Sequence, residues 1–387
     1  MYAVNFWCRP ASATFLVVAN LVLLASLLYT NAPGARCRCA DEKSPTVPPQ
    51  ANGSTTNRGP VTLVVITCGD RLELTTSNLK SAVAFSRAPL RLILYADVDN
   101  IKSLQDRIMQ WPASFLARIT YDLRLVAFPS KNFEKWKKLY EPCSTQRLFL
   151  PAILPDEDVV LYVDGDTLFL NPVEELWDVF GKMNESQLIA QAHASEDDSN
   201  SWYKLKAKVP YIPPFGVNTG VMPMNLTRMR NFGWVSRMEL LLEEYEDQIS
   251  LGDQDLVNIL FSFHPDRLFL MTCRWNYRQR NCIFHASCSG ETPALLHGNG
   301  DCATDPDVEP AIYAIFCVMK KYELGTSLER NFIDPLEREL LRVRRSECFV
   351  QLMFHSKQWR ILARQLDRER GFSDKAINAT TSPSTST

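Results

Sequence analysis

The sequence predicts an α/β fold with a mostly parallel central sheet flanked by helices, Rossmann-like in kind, and three observations carry that prediction. Residues 63–67 (Leu-Val-Val-Ile-Thr) and 159–163 (Val-Val-Leu-Tyr-Val) are apolar without alternation, as in strands buried on both faces of a parallel sheet. Apolar positions at helical spacing lie between the early strands, giving a β-α-β-α-β order with right-handed crossovers. Carboxylates stand where the strands run out (Asp70, Asp97, Asp164, Asp166), and open α/β sheets bind their ligands beyond those carboxyl ends.

Taken in order, residues 63–67 form the first strand and Leu72, Leu79, Ala82 and Val83 mark a helix over 72–85. Residues 91–95 form a second strand, 101–111 a helix stopped by Pro112, and 123–128 a third strand. Ser144 or Thr145 is placed to cap a helix that carries Arg147. The central strand 159–163 ends in Asp164-Gly165-Asp166, and a short helix with Leu176 and Trp177 follows. Residues 188–192 read as a strand, 195–208 as a polar surface excursion, and 215–224 as a strand bent at Gly216 and Gly220. A helix over 234–245 follows, then a helix continuing to Phe261 with Asp253 as its cap. Residues 295–297 make a short apolar run ending in His297 at a glycine turn, 311–322 a further helix, and 334–370 a charge-rich helical stretch.

The N-terminus sets the compartment. Residues 11–30 carry no charge, and such a length crosses a bilayer as a helix, whereas a cleaved secretory signal has a shorter apolar core. We therefore expect a cytosolic tail (1–10), a transmembrane signal anchor (11–30) and a flexible luminal stem (31–60) rich in Pro, Ser, Thr and Asn. A catalytic domain (61–330), a C-terminal helical extension (331–370) and a disordered Ser/Thr-rich tail (371–387) complete the organisation. Sequons at Asn52, Asn184, Asn225 and Asn378, and ten of the 11 cysteines, lie beyond the span, so the bulk of the chain is placed in the lumen of the endoplasmic reticulum or Golgi as a single-pass type II protein. Cys273, Cys282 and Cys288 favour disulfides over zinc, since His285 is the only histidine close to them. Cys37 and Cys39 are open to pairing with another chain, to a local bridge, or to remaining free. Charge is balanced, with 42 basic and 44 acidic residues, which argues against a nucleic-acid-binding face.

The chemistry gathers at few places. Asp164 and Asp166 at a strand tip are two hard oxygen ligands suited to Mg²⁺ or Mn²⁺, which commonly share their shell with substrate phosphates. Gly165 between them lets the backbone come close to what they hold. Neither a Gly-x-Gly-x-x-Gly nor a P-loop sequence occurs, so no glycine loop cradles the phosphates. Thr67, Cys68 and Asp70 are placed either to hold a nucleotide base or to form a plain polar turn. Asn218 is free to bind sugar hydroxyls or to cap a turn, and Asp253 and Gln254 to line a pocket or to cap a helix.

In order and spacing, these segments resemble glycosyltransferase family 8, whose members have the nucleotide-sugar-binding fold called GT-A. The likeness covers about 61–322 and rests on Arg147 in Gln-Arg-Leu, Asp164-Gly165-Asp166, Asn218-Thr219-Gly220-Val221, Asp253-Gln254-Asp255 and His297-Gly298. Within the family, Gln-Arg-Leu-Phe-Leu-Pro, Trp275-Asn276-Tyr277-Arg278 and Leu-His-Gly-Asn look closest to the glucoside xylosyltransferases, which extend O-linked glucose on EGF-like repeats of Notch-type proteins.

The resemblance implies an α-retaining transferase that takes xylose from UDP-xylose to a glucosylated repeat in α-1,3 linkage. Asp164, Asp166 and His297 would bind Mn²⁺, and Thr67, Cys68 and Asp70 the uridine. Gly165 and Gly298 belong to the nucleotide-binding set. Arg147 would face the donor sugar or diphosphate, and Asn218, Asp253 and Gln254 would border the transferred sugar. One departure stands out: many members place a lysine shortly after the His-Gly pair, and this chain has none before Lys320. UDP-glucose or UDP-galactose as donor, or a non-catalytic sugar-binding protein that keeps the fold, are the competing readings.

Overall fold

Val61, Leu63 and Val65 of the first strand point into one apolar core, while Val64 and Ile66 point into a second core on the opposite face of the sheet. The unbroken apolar run has that cause, since each face must be covered. Leu161 and Val163 join the first core, and Val160 and Tyr162 the second, so the central strand behaves alike. Each aliphatic side chain so buried stabilises the fold by roughly 1.5–3 kcal/mol. These positions come from a computed structural model that describes residues 59–139, 143–199, 201–283, 288 and 290–372. The expected cytosolic tail, anchor and all but the last two residues of the stem, Asn52, His285, Asn378 and nearly all of the expected tail lie outside the described residues. Among the described residues no helix is long and apolar enough to cross a membrane.

Seven strands form one sheet: β1 (Val61–Thr67), β2 (Leu90–Ala96), β3 (Ile119–Leu125), β4 (Val159–Asp164), β6 (Ile189–Gln191), β7 (Val221–Asn225) and β8 (Leu268–Leu270). Their order is β3-β2-β1-β4-β7-β6-β8, with β7 antiparallel to both neighbours and every other pairing parallel. The mostly parallel α/β expectation holds. A separate ribbon pairs β5 (Thr167–Phe169) with β9 (Leu295–His297) antiparallel. The first core is covered by the helices Leu72–Phe85, Pro310–Lys321, Asp334–Arg342 and Glu347–Glu369. The second is covered by Trp234–Tyr245 and Asp253–Phe263. The C-terminal helices are tied down by named contacts: Trp359 Nε1 donates to Pro293 O, and Asp367 accepts from the amides of Leu328 and Glu329.

The structure corrects several expectations. The third strand lies at 119–125 rather than 123–128, because its register follows β2 from Leu90↔Ile119 to Ala96↔Leu125. Neither Ser144 nor Thr145 caps a helix; both lie inside a 3₁₀ turn (Ser144–Phe149), and Thr145 Oγ1 donates to Trp136 O. Residues 215–220 form a loop, with Gly216 at φ 68°, and the strand starts only at Val221. The helix cap is Gly252 at φ 59°, and Asp253 is the first helical residue. Residues 195–208 are not a plain surface excursion, for Tyr203 within them is fully buried. The short strands β5 and β8 have three residues each, too few to display a period. The expected disulfides are present as Cys273–Cys288 and Cys282–Cys348, joined by Cys68–Cys143.

Candidate active site

The parallel register between β1 and β4, with Ile66 opposite Asp164, brings the tips of both strands to one edge of the sheet. Antiparallel β7 returns there, and Asp164 N donates to Gly220 O at 2.8 Å. The β5–β9 ribbon pairs Thr167 with His297, and Gly298 N donates to Asp166 O. A histidine from far along the chain thus arrives beside the acid pair. His297 Nε2 lies 3.4 Å from Asp166 Oδ1 and 3.9 Å from Asp164 Oδ2.

The donor set fits a hard divalent cation. One ligand atom from each of the three residues lies within 4.8 Å of the others. An ion with bonds of about 2.1 Å needs neighbouring ligands roughly 3 Å apart and opposite ones roughly 4 Å. Asp164 is already oriented for ligation, because its Oδ1 accepts from Tyr162 OH (2.6 Å) and pairs with the charge of Arg147 Nη1 (2.8 Å), leaving Oδ2 on the His297 side. On the imidazole, Nδ1 hydrogen-bonds Asn276 Oδ1 at 2.8 Å, so Nδ1 carries a proton and Nε2 is the ring nitrogen turned toward the acids. Burial opposes ionisation of Asp166, but His297 and Arg71 nevertheless hold its carboxyl below the usual range.

Arg147 is buried and shared. Its Nε donates to Ser144 O and its Nη1 also reaches Thr219 O. Asp253 Oδ2 sits 3.1 Å from the same Nε, which donates elsewhere, so charge rather than a hydrogen bond holds that carboxylate. Burial raises the Asp253 carboxyl to about 6; Asp164 nearby adds to the rise, and Arg147 opposes it. One guanidinium between two carboxylates cannot satisfy both fully.

Asn218 and Gln254 meet directly: Asn218 Nδ2 donates to Gln254 Oε1 at 2.8 Å. Both line a cleft of about 250 Å³, together with Arg147, Asp253, the acid pair and His297. Cys68 and Gly165 line its continuation beside Ser144, Cys68 through its disulfide to Cys143. Thr67 is buried with its hydroxyl unpartnered, and Asp70 is fully exposed. The turn that follows Cys68 is held by Asp97, whose Oδ2 accepts from Gly69 N, and by Asn100, which donates to Gly69 O. Gly165 and Gly298 serve close packing, since a Cβ would fall 2.4 Å from Thr75 Oγ1 and 2.4 Å from Ala303 Cβ respectively.

Several residues of the site went unread in the sequence. Asn276 is fully buried and joins His297 to Asn218. Tyr203 OH accepts from Gln254 Nε2 and donates to Asp255 Oδ1. Arg278 lines the cleft while donating to the carbonyls of His193 and Ala194, and burial pushes the nearby Glu196 carboxyl up to about 7 against the pull of Arg278. The aromatic pair Trp202-Tyr203 inside a polar stretch was the one local signal for Tyr203.

The arrangement can hold a cation against an anionic leaving group at one end and a polar ring at the other. Comparison with known proteins gives the same direction. The family described as glycosyl transferase family 8 matches residues 69–300. Glucoside xylosyltransferase 1 of Mus musculus is 39% identical over 320 residues, which cover 79% of this chain and 77% of that protein. Glucoside xylosyltransferase 2 of Xenopus laevis is 38% identical over 301 residues, 74% of this chain and 71% of that protein. Among solved structures, the galactosyltransferase LgtC in complex with donor and acceptor sugar analogues superposes with a TM-score of 0.55. At 18% identity over 69% of this chain and 97% of that one, it shows a likeness of fold.

Proposed function

The chain belongs to glycosyl transferase family 8 and is a glycosyltransferase, and we propose that it transfers xylose from UDP-xylose, with retention, in α-1,3 linkage to O-linked glucose on EGF-like repeats. The observation that carries the reading is the convergence of Asp164, Asp166 and His297 in a cleft also lined by Asn218 and Gln254. The names of the relatives at 39% and 38% identity support the sugar and the glucoside acceptor.

Asp164, Asp166 and His297 would hold Mn²⁺, which when bound supplies charge stabilisation to the departing UDP. Arg147 holds Asp164 in place through their ion pair, and Arg71, lining both parts of the cleft, adds positive charge beside the acids. In a chain that lacks the lysine after His-Gly, we assign support of the diphosphate to Arg71, which lines the cleft together with Asp164 and Asp166. Apart from the metal pair, Asp253 is the carboxylate lining the cleft, and it is engaged by Arg147. Same-face transfer suits this layout: the acceptor oxygen bonds to the anomeric carbon as the bond to UDP breaks, and the acceptor proton passes to the leaving phosphate oxygen. Gln254, fixed by Asn218 and Tyr203, presents an oriented dipole to the positive charge that develops on the sugar.

The compartment belongs to the same proposal. An uncharged 11–30 segment read as signal anchor and a 31–60 stem support a catalytic domain in the lumen of the Golgi or endoplasmic reticulum, and three disulfides suit that oxidising space. The test is a screen of UDP-xylose, UDP-glucose and UDP-galactose against a glucosylated EGF-like repeat, with and without a chelator, the product linkage being read by NMR. We expect α-linked xylose, made only with metal and lost in Asp164→Asn and Asp166→Asn. Preference for a hexose donor, a β-linked product, or full activity under chelation would overturn it.

A further inference from the structure

Between the histidine of the proposed metal site and the amide pair facing the sugar lies a single run of hydrogen bonds. His297 Nδ1 meets Asn276 Oδ1 at 2.8 Å, and Asn276 Nδ2 donates to Asn218 Oδ1 at 2.8 Å. Asn218 Nδ2 donates to Gln254 Oε1 at 2.8 Å, and Gln254 Nε2 to Tyr203 OH at 3.2 Å. Tyr203 OH then donates to Asp255 Oδ1 at 2.9 Å.

The direction of this run is not arbitrary, because backbone amides anchor it. Gly220 N donates to Asn218 Oδ1 at 3.0 Å, which fixes that atom as oxygen, since an amide nitrogen cannot accept. The Asn276 atom facing it must then be its NH₂ group, so the Asn276 oxygen faces His297. Thr219 N points likewise at Gln254 Oε1. Every donor therefore points from the imidazole toward Asp255, and reversing one amide would set donor against donor at its neighbour.

We propose that Asn276 is a positioning residue that sets the tautomer and placement of His297 and, through Asn218, the orientation of Gln254. The inference rests on His297 being a metal ligand. Asn276 is fully buried and acts through its neighbours. Its own backbone is held in place: Arg278 Nε donates to Asn276 O, and the next residue, Tyr277, brackets β9 through Tyr277 N to Leu295 O and His297 N to Tyr277 O. The metal and the dipole that faces the sugar thus form one assembly, and the two faces of one side chain can be separated by mutation.

Asn276→Ala removes both contacts. Asn276→Asp keeps an acceptor for His297 Nδ1 but turns the donor toward Asn218 into a second acceptor. Mn²⁺ affinity, read by electron paramagnetic resonance of the free ion with UDP present, should fall about 10- to 100-fold in Asn276→Ala, the usual effect of losing a ligand's outer partner. In Asn276→Asp it should stay within about threefold of wild type, while kcat at saturating donor falls about tenfold or more. His297→Ala is the control on the reading beneath. If it binds Mn²⁺ as the wild type does, that reading fails and this one with it. If His297→Ala loses the ion while Asn276→Ala keeps it, or if Asn276→Asp keeps full kcat, the positioning role alone is overturned. Should Asn276→Ala fail to fold, Asn276→Asp and the ¹⁵N shifts of the wild-type His297 ring decide. A proton on Nε2 rather than Nδ1 contradicts the proposal.

Discussion

Gly220 packs its α-carbon against the imidazole of His297, so closely that a Cβ there would fall 2.2 Å from Cε1 and 2.7 Å from Nδ1. The glycine is therefore required by its neighbour. Gly220→Ala should push the ring away from Asp166 and lower Mn²⁺ affinity about tenfold or more. Overpacking should also cost about 1–3 kcal/mol of stability. Metal titration beside thermal unfolding checks both, and a variant binding Mn²⁺ like wild type would show that the ring has room to move.

Arg147 stands between Asp164 and Asp253 with nearly all its surface buried. Arg147→Met leaves both acids without their cation and should destabilise the protein by roughly 3–5 kcal/mol at neutral pH. Arg147→Lys should recover part of this, because a point charge on a flexible stem cannot span two carboxylates as the planar fork does. Urea unfolding of the metal-free protein measures it; a loss below about 1 kcal/mol for the Met variant would contradict the pairing.

Asp253 gives a pH dependence whose sign is fixed by the direction of its shift. Its carboxyl is raised from 3.8 to about 6 in the folded protein, with burial as the largest cause. Between about pH 4 and 6 the native state then holds the extra proton, so this group's contribution to stability falls as pH rises through that window and stays reduced above it. Asp253→Asn removes the effect, and wild type should lose up to about 2–3 kcal/mol relative to it from pH 4 to 7. Denaturant midpoints of both proteins at several pH values test this, with the opposite slope counting against it.

The Cys68–Cys143 disulfide joins the turn after β1 to the residue before Ser144, across a sequence separation of 75. Replacing both cysteines by serine should cost roughly 2–5 kcal/mol. It should also weaken UDP binding, because the disulfide and Ser144 line the cleft beside Arg147. Calorimetric unfolding and UDP titration report the two effects separately. Unchanged UDP affinity in the folded double variant would confine the bridge to stability.

Much of this was legible in the chain. The helices over 72–85 and 234–245 end where their apolar spacing ends, and the central strand declares itself by having no polar face. Asp164 and Asp166 could be placed because a strand's end can be read from its own residues. His297 could be named only by resemblance, since its meeting with Asp166 depends on the three-residue pairing of β5 with β9. The same holds for Asn276, whose amide gains a role only once Asn218 and His297 stand on either side of it.

By itself, then, the sequence determined the layered α/β architecture and the edge of the sheet at which the two acids stand, because period and strand ends are local properties of the chain. Tertiary structure alone decided that Arg147 is divided between Asp164 and Asp253, that Tyr203 lies inside, and that an imidazole reaches the acids with Nε2 forward. Those facts depend on contacts between distant segments, where a side chain's partner is chosen by packing and leaves no mark on its neighbours in the chain.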